Sequence, residues 1–249
     1  MDRISTVLLV LLALILIAAC DSQPSEEAEN LKATPLDYLP ALKGDYFRLD
    51  SEAVGRPYHI YVRYPEGYEA SPEKKYPVIS LLDGDSLFPV LAANHLFLHY
   101  DDKIPEAIVV GIAYGGFDPE VNMRDVDFST NWPERDRSGG AENFHAFLKQ
   151  ELLPEVENRY RADAERRVLF GQSRGGFMVL YSAFNDPDLF WGRITSNPSI
   201  QPDEKQFYIE PKTAERDDLT LIVSSATADR YRKTVNVRWR GKHTGLIAK

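Results

Sequence analysis

Gly171-Gln172-Ser173-Arg174-Gly175 sets one serine between two glycines, where the apolar run VLF ends and FMVLYSAF, with helical spacing, begins. A serine turned out of the chain between a strand and a helix can attack a carbonyl carbon once a base takes its proton. The glycines permit a tight turn and a close helix–sheet approach, and the amide of Arg174 at the helix N-terminus can stabilise an oxyanion. The bland reading of the same five residues is a tight structural turn.

A nucleophilic serine needs a base, and the chain holds five histidines. His59 falls in an early strand, His145 on a helix, and His95 and His99 four residues apart on another. That spacing puts two imidazoles on one face, but no third ligand accompanies them, so a metal centre is not expected. Only His243, in RGKHTGLIAK, follows Ser173.

The elements that must carry these residues follow from the apolar pattern. DYFRLDS and PYHIYVRYP alternate apolar with polar residues, as half-exposed antiparallel strands do. Tyr76 to Gly84, Glu106 to Gly115, Arg166 to Gln172 and Leu219 to Ser225 are nearly continuous apolar runs, the mark of strands covered on both faces. Helical periods cover Ser86 to Phe97, Glu142 to Tyr160 and Ser173 to Phe184. In the second, Phe144, Phe147, Leu148, Leu152, Val156 and Tyr160 form one stripe, and Pro154 predicts a kink or break. Alternating strands and helices give an α/β domain with a mostly parallel sheet, helices on both faces and an antiparallel opening. Gly116 to Gly140 has no period and reads as a functional loop over the site.

Composition bounds the rest. The 249 residues suffice for one α/β domain, and a net charge of −9 with scattered Lys and Arg gives no footprint for nucleic acid. Arg3 leads into an apolar run from Val7 to Ala19, too short to span a bilayer but of signal-peptide length. Ile17-Ala18-Ala19-Cys20 resembles the lipobox of bacterial lipoproteins, which implies cleavage before Cys20, the only cysteine, and lipid attachment to it. Residues 1–19 are therefore expected to be a signal peptide, 20–43 a polar tether and 44–249 the folded domain, exported and held at the cell membrane.

The pieces YPVISLLDGDSLF, IVVGIAY, FLKQELLPEVENRYRADAERRVLFGQSRGGF and NDPDLFWGRITSNPSI, in that order over Tyr58 to Ile200, resemble the esterase family of α/β-hydrolases that holds esterase D and the enterochelin-type siderophore esterases. The resemblance implies the α/β-hydrolase fold and a carboxylic-ester hydrolase acting on a small-molecule ester without metal or organic cofactor. It implies Ser173 as nucleophile and an oxyanion hole built from the backbone amides of Arg174 and of Asp85 or its neighbour Gly84. Taken alone, LLDGD is an acidic turn at a strand end. NMRDVDF, Asn122 to Phe128, is by its charges a solvated loop, while the resemblance sets it near the substrate; SNPSI is expected to form a wall beside the serine.

In α/β-hydrolases the order along the chain is nucleophile, acid, histidine, which points to Asp229 as the acid and His243 as the base. Here the sequence departs from the family. Only Ala226 to Thr234 separate LTLIVSS from VNVRW, too few for a parallel crossover, so VNVRW cannot be an ordinary final parallel strand. The C-terminal strand and helix are expected to be incomplete, which leaves open an inactive, ligand-binding lipoprotein. An acyltransferase using the same acyl-enzyme is the nearer variant.

Overall fold

The computed structural model describes residues 39–200 and 211–225, together with the backbone of 237–240. The alternating segments at the start form β1 (Gly44–Ser51) and β2 (Arg56–Arg63), paired antiparallel with Phe47 opposite Ile60. In β2 the buried Tyr58, Ile60 and Val62 alternate with His59 and Tyr61, so the period of two seen in the sequence is the two faces of the strand.

The continuous apolar runs become β3 (Tyr76–Leu81), β4 (Ile108–Ala113), β5 (Ala162–Gln172) and β7 (Thr220–Ser224), joined by β6 (Gly192–Ser196). All run parallel to their neighbours among themselves, and β2 joins β4 antiparallel. Every residue of β4 is buried, because helices cover both of its faces. β8 (Val237–Arg240) pairs antiparallel with β7, in keeping with the short connection that excluded a parallel strand. The sheet order is β1-β2-β4-β3-β5-β6-β7-β8.

Helix α1 (Gly84–Asp101) packs Phe88 and Ala92 with Val109 and Leu81 on one face of the sheet. It begins two residues earlier than its apolar period, because Gly84 lies against β4: a Cβ there would stand 2.7 Å from the Ile112 nitrogen. The opposite face carries the larger core, where Ile108, Val110 and Ile112 meet α3 (Ala141–Phe147), α4 (Leu153–Arg159) and α5 (Arg174–Asn185), and Phe144, Phe147 and Met178 are wholly buried. Each such aromatic contributes about 2 kcal/mol through burial alone. Between α3 and α4 the chain winds a π-turn, Leu148–Leu152, and Pro154 opens the next helix. Proline has no N–H and its ring clashes with the carbonyl four residues back, so the wider turn accommodates it and the six-residue stripe stays buried on both sides of the break. No helix among the described residues is long and apolar enough to cross a membrane.

Candidate active site

The parallel strands β3, β4 and β5 end on one side of the sheet, and the chemistry-bearing residues lie in the turns that follow them. Ser173, between β5 and α5, has φ 56° and ψ −116°, a conformation that L residues rarely adopt. Such backbone costs about 1–3 kcal/mol and persists only where the surroundings fix it. They do so here by hydrogen bonds on both sides of the residue. Its N–H donates to Ser196 at 3.0 Å, and its carbonyl accepts from Phe177 at 3.0 Å and Ser199 at 2.9 Å.

The neighbouring glycines are demanded by space. A Cβ at Gly171 would stand 2.3 Å from the Gly175 carbonyl oxygen, and one at Gly176 would stand 2.5 Å from Thr195 Oγ1 and 3.0 Å from Pro198 Cα. The segment Ser196 to Ser199 is thus the wall expected beside the serine. It is itself held by Asn197, which donates its N–H to Ser224 at 2.7 Å from a left-handed conformation.

Ser173 and Gln172 open onto a pocket of about 240 Å³ whose other walls are Asp83, Asp85, Ser86, Leu87, Phe117, Asn122 and Arg124. Asp83 caps α1 in the left-handed region, φ 55° and ψ 45°. Arg124 grips its carboxylate with two donors, Nε to Oδ1 at 2.7 Å and Nη2 to Oδ2 at 3.1 Å. Asp85 turns its carboxylate toward the end of β4 and accepts the N–H groups of Tyr114 at 2.7 Å and Gly115 at 2.8 Å. Phe117 follows on that loop and is 72% exposed at the rim.

Read by its charges alone, the segment Asn122 to Phe128 is a solvated loop; the structure corrects this. Arg124–Asp127 forms a single helical turn, α2, and Asp127 is fully buried. Its carboxylate accepts from Tyr58 Oη at 2.7 Å and Tyr114 Oη at 2.9 Å, and pairs with Arg56. Burial holds both phenols well above their usual pKa, so they remain donors to the carboxylate. Arg137 fastens the rest of the loop through the carbonyl of Asn122 and the sulfur of Met123.

None of the described histidines lines the pocket onto which Ser173 opens. His59 Nδ1 meets Tyr46 Oη at 2.7 Å. His95 Nδ1 accepts from the buried Arg63 at 2.7 Å, and His99 Nδ1 donates to the Ile104 carbonyl at 2.7 Å. The two imidazoles of that helix therefore have separate engagements, and among the described residues no three potential ligands gather.

Of the residues singled out in the sequence, Ser173 and Asp85 line one pocket. Gly84 lies between two of its lining residues, and Arg174 follows the serine as the first residue of α5. Asp229, His243 and Cys20 lie outside the described residues. Sequence reasoning missed the Asp83–Arg124 pair and the Asp127 hub. Their partners are 41, 69 and 13 residues distant along the chain, and no periodicity links them.

A sheet in this strand order, with a strained serine at the carboxyl end of β5 and a helix leaving from it, is the α/β-hydrolase fold. The family model described as "Putative esterase" matches residues 51–243, and the chain belongs to that family. It is 33% identical over 172 residues to ferri-bacillibactin esterase BesA of Bacillus subtilis, a match covering 61% of this chain and 57% of that protein. With the siderophore triacetylfusarinine C esterase of Aspergillus fumigatus the identity is 28%, over 65% of this chain and 58% of the relative. The chain thus spans less than two thirds of the length of these relatives. Among solved structures, the fold is similar to the BES protein from Bacillus cereus, with a TM-score of 0.63, 24% identity and 74% of each chain covered. An IroE-like serine hydrolase from Shewanella oneidensis superposes with a TM-score of 0.61 at 26% identity, over 72% of this chain and 60% of that one.

Proposed function

We propose that this protein hydrolyses carboxylic esters through an acyl-enzyme on Ser173, and that its substrates are siderophore esters. The observation that carries the mechanism is the backbone of Ser173, strained at φ 56° and ψ −116° on the wall of a pocket. Strain kept at one serine and held by three backbone hydrogen bonds is explained by a hydroxyl that must project into the site. The substrate class is drawn from the relatives, which are named as esterases of bacillibactin, salmochelin and triacetylfusarinine C.

In this mechanism Ser173 Oγ attacks the ester carbonyl while His243 takes its proton, and Asp229 orients that histidine. The carbonyl oxygen gains negative charge and is held by the amide of Arg174 together with that of Gly84 or Asp85. Gly84 and Asp85 are the first two residues of α1, whose N–H groups have no acceptor within their own helix. The C–O bond to the alcohol then breaks, the histidine returns the proton to the leaving oxygen, and water repeats the sequence to release the acid. The apolar leader ending at Cys20 supports export and lipid attachment at that cysteine, placing the domain on the outer side of the membrane.

Hydrolysis of p-nitrophenyl acetate and of a tris-catecholate siderophore lactone by the protein lacking residues 1–19 tests the reading. Turnover is expected for the wild type, with loss of at least about a thousandfold in Ser173→Ala and in His243→Ala. No turnover above the Ser173→Ala background would sink it. Activity unchanged in His243→Ala would remove that base and leave the serine. Transfer of the acyl group to an added alcohol in preference to water would make the protein an acyltransferase.

A further inference from the structure

Two ion pairs leave one helical turn, and one of them, Arg124 with Asp83, lies on the pocket wall. Arg124, at the start of α2, makes its two-donor contact with Asp83, which lies two residues past β3 and turns the chain into α1. Asp127, at the end of the same turn, gathers the hydroxyls of Tyr58 and Tyr114 and the guanidinium of Arg56. Tyr114 follows directly on β4, and its backbone N–H is also held by Asp85. The turn is therefore bonded to the residues that follow both β3 and β4, as Ser173 follows β5.

The Asp83 contact is poised to matter for chemistry. Asp83 occupies a left-handed conformation with no hydrogen bond from its side chain to the helix it caps. Aspartate tolerates that region but does not require it. Its Oδ2 lies 3.0 Å from the place where a Cβ on Gly175 would sit, two residues past Ser173. The carboxylate thus touches the elbow on one side and Arg124 on the other, and the amides that follow it are those of Gly84 and Asp85. A shift in the Asp83 backbone would re-aim both amides relative to Ser173 Oγ.

We propose that Arg124 is a positioning residue: through its bidentate pairing with Asp83 it fixes the direction of the Gly84 and Asp85 amides toward the developing oxyanion, while Asp127 anchors the turn that carries it. The proposal rests on the acyl-enzyme reading of Ser173. The Arg124 side chain is 29% exposed on the pocket wall and gives two of its N–H donors to Asp83, so the pairing fixes the guanidinium beside the turn into α1. Geometry of this kind acts where charge develops, and a preorganised oxyanion donor is worth about 10²–10³ in kcat. Misdirecting a donor that stays in place forfeits part of that factor, about 10–100-fold.

The test compares Arg124→Met, Arg124→Lys, Asp83→Asn and the double variant Asp83→Asn/Arg124→Met with wild type and Ser173→Ala, using p-nitrophenyl acetate turnover and inhibition by phenylboronic acid. The boronate forms a tetrahedral adduct with the serine and so reports on the oxyanion donors. Arg124→Met and Asp83→Asn are each expected to lower kcat by about 10–100-fold with KM within about twofold, and to weaken the boronate by the same factor as kcat. The double variant is expected to be no worse than either single change, and Arg124→Lys to recover part of the loss. Should Arg124→Met fail to fold by circular dichroism, the Arg124→Lys and Asp83→Asn variants carry the same comparison. A rise in KM with kcat and boronate affinity unchanged would overturn the proposal and make Arg124 a substrate-binding group, as would losses that multiply in the double variant. Wild-type turnover equal to Ser173→Ala would instead remove the acyl-enzyme reading, and the positioning role with it.

Discussion

Asp85 accepts the backbone N–H of Tyr114 at 2.7 Å, so a carboxylate in the first turn of α1 holds the end of β4. The same carboxylate takes the N–H of Gly115 at 2.8 Å, and the two bonds fix where the loop carrying Phe117 leaves the sheet. Asp85 is thus committed through its side chain to architecture.

Asp85→Ala removes an ionised acceptor from two amides at once. A loss of about 1–3 kcal/mol in stability is expected, with a fall in ester turnover, because hydrogen bonds to charged groups are worth roughly 1.5–3 kcal/mol. Urea denaturation read alongside hydrolysis of p-nitrophenyl acetate checks both. An unchanged unfolding midpoint would show that the amides find water as readily as they find the carboxylate.

Replacement of Ser173 separates strain from chemistry. Glycine accepts φ 56° without steric cost, whereas alanine meets the same penalty as serine. Ser173→Gly is expected to be about 1 kcal/mol more stable than Ser173→Ala, with both variants inactive. Equal unfolding midpoints for the two would argue that the elbow carries no strain.

Gly176→Ala drives a methyl group to 2.5 Å from Thr195 Oγ1, the hydroxyl that donates to the Gly176 carbonyl at 3.1 Å. Overpacking of this kind costs about 1–3 kcal/mol. Adding Thr195→Ala is expected to restore part of that stability, and the contact with Pro198 Cα at 3.0 Å sets how much remains lost. Thermal melts of the single and double variants decide it.

His95 makes stability depend on pH. Burial, reinforced by the Arg63 cation, lowers its pKa to about 4, against about 6.5 in the unfolded chain. Between these values the unfolded chain holds the extra proton, so folded stability falls as pH drops from about 6.5 toward 4, by up to about 1.4 kcal/mol per pH unit. His95→Gln should flatten this part of the profile, measured by urea unfolding at pH 7, 6 and 5. An identical slope in that variant would assign the pH dependence to carboxylates instead.

The strand and helix positions were legible because burial imposes a period. Continuous apolar runs at Tyr76, Glu106, Arg166 and Leu219 gave four sheet strands, and the stripe from Phe144 to Tyr160 gave the core face of the helical segment with its break near Pro154. The Gly171 to Gly175 motif was legible for a related reason: a tight turn between a strand and a helix leaves room for few residue types. The segment Asn122 to Phe128 was misleading when judged by its charges, since composition favours solvent for any run containing Arg124, Asp125 and Asp127. Nothing local distinguishes the exposed Asp125 from the fully buried Asp127, which has its partners on β2 and at the end of β4.

By itself, then, the sequence determined the kind of domain, its serine elbow and the family to which it belongs, because hydrophobic period and steric demands at glycines are written in neighbouring residues. Only the tertiary structure decided which charges face one another. Asp83 meets Arg124, and Asp127 meets Tyr58, Tyr114 and Arg56, because the sheet order sets the ends of β3, β4 and β5 side by side and buries these groups where each must find a partner. Electrostatic pairing acts through space over a few ångströms, and distance along the chain carries no record of it.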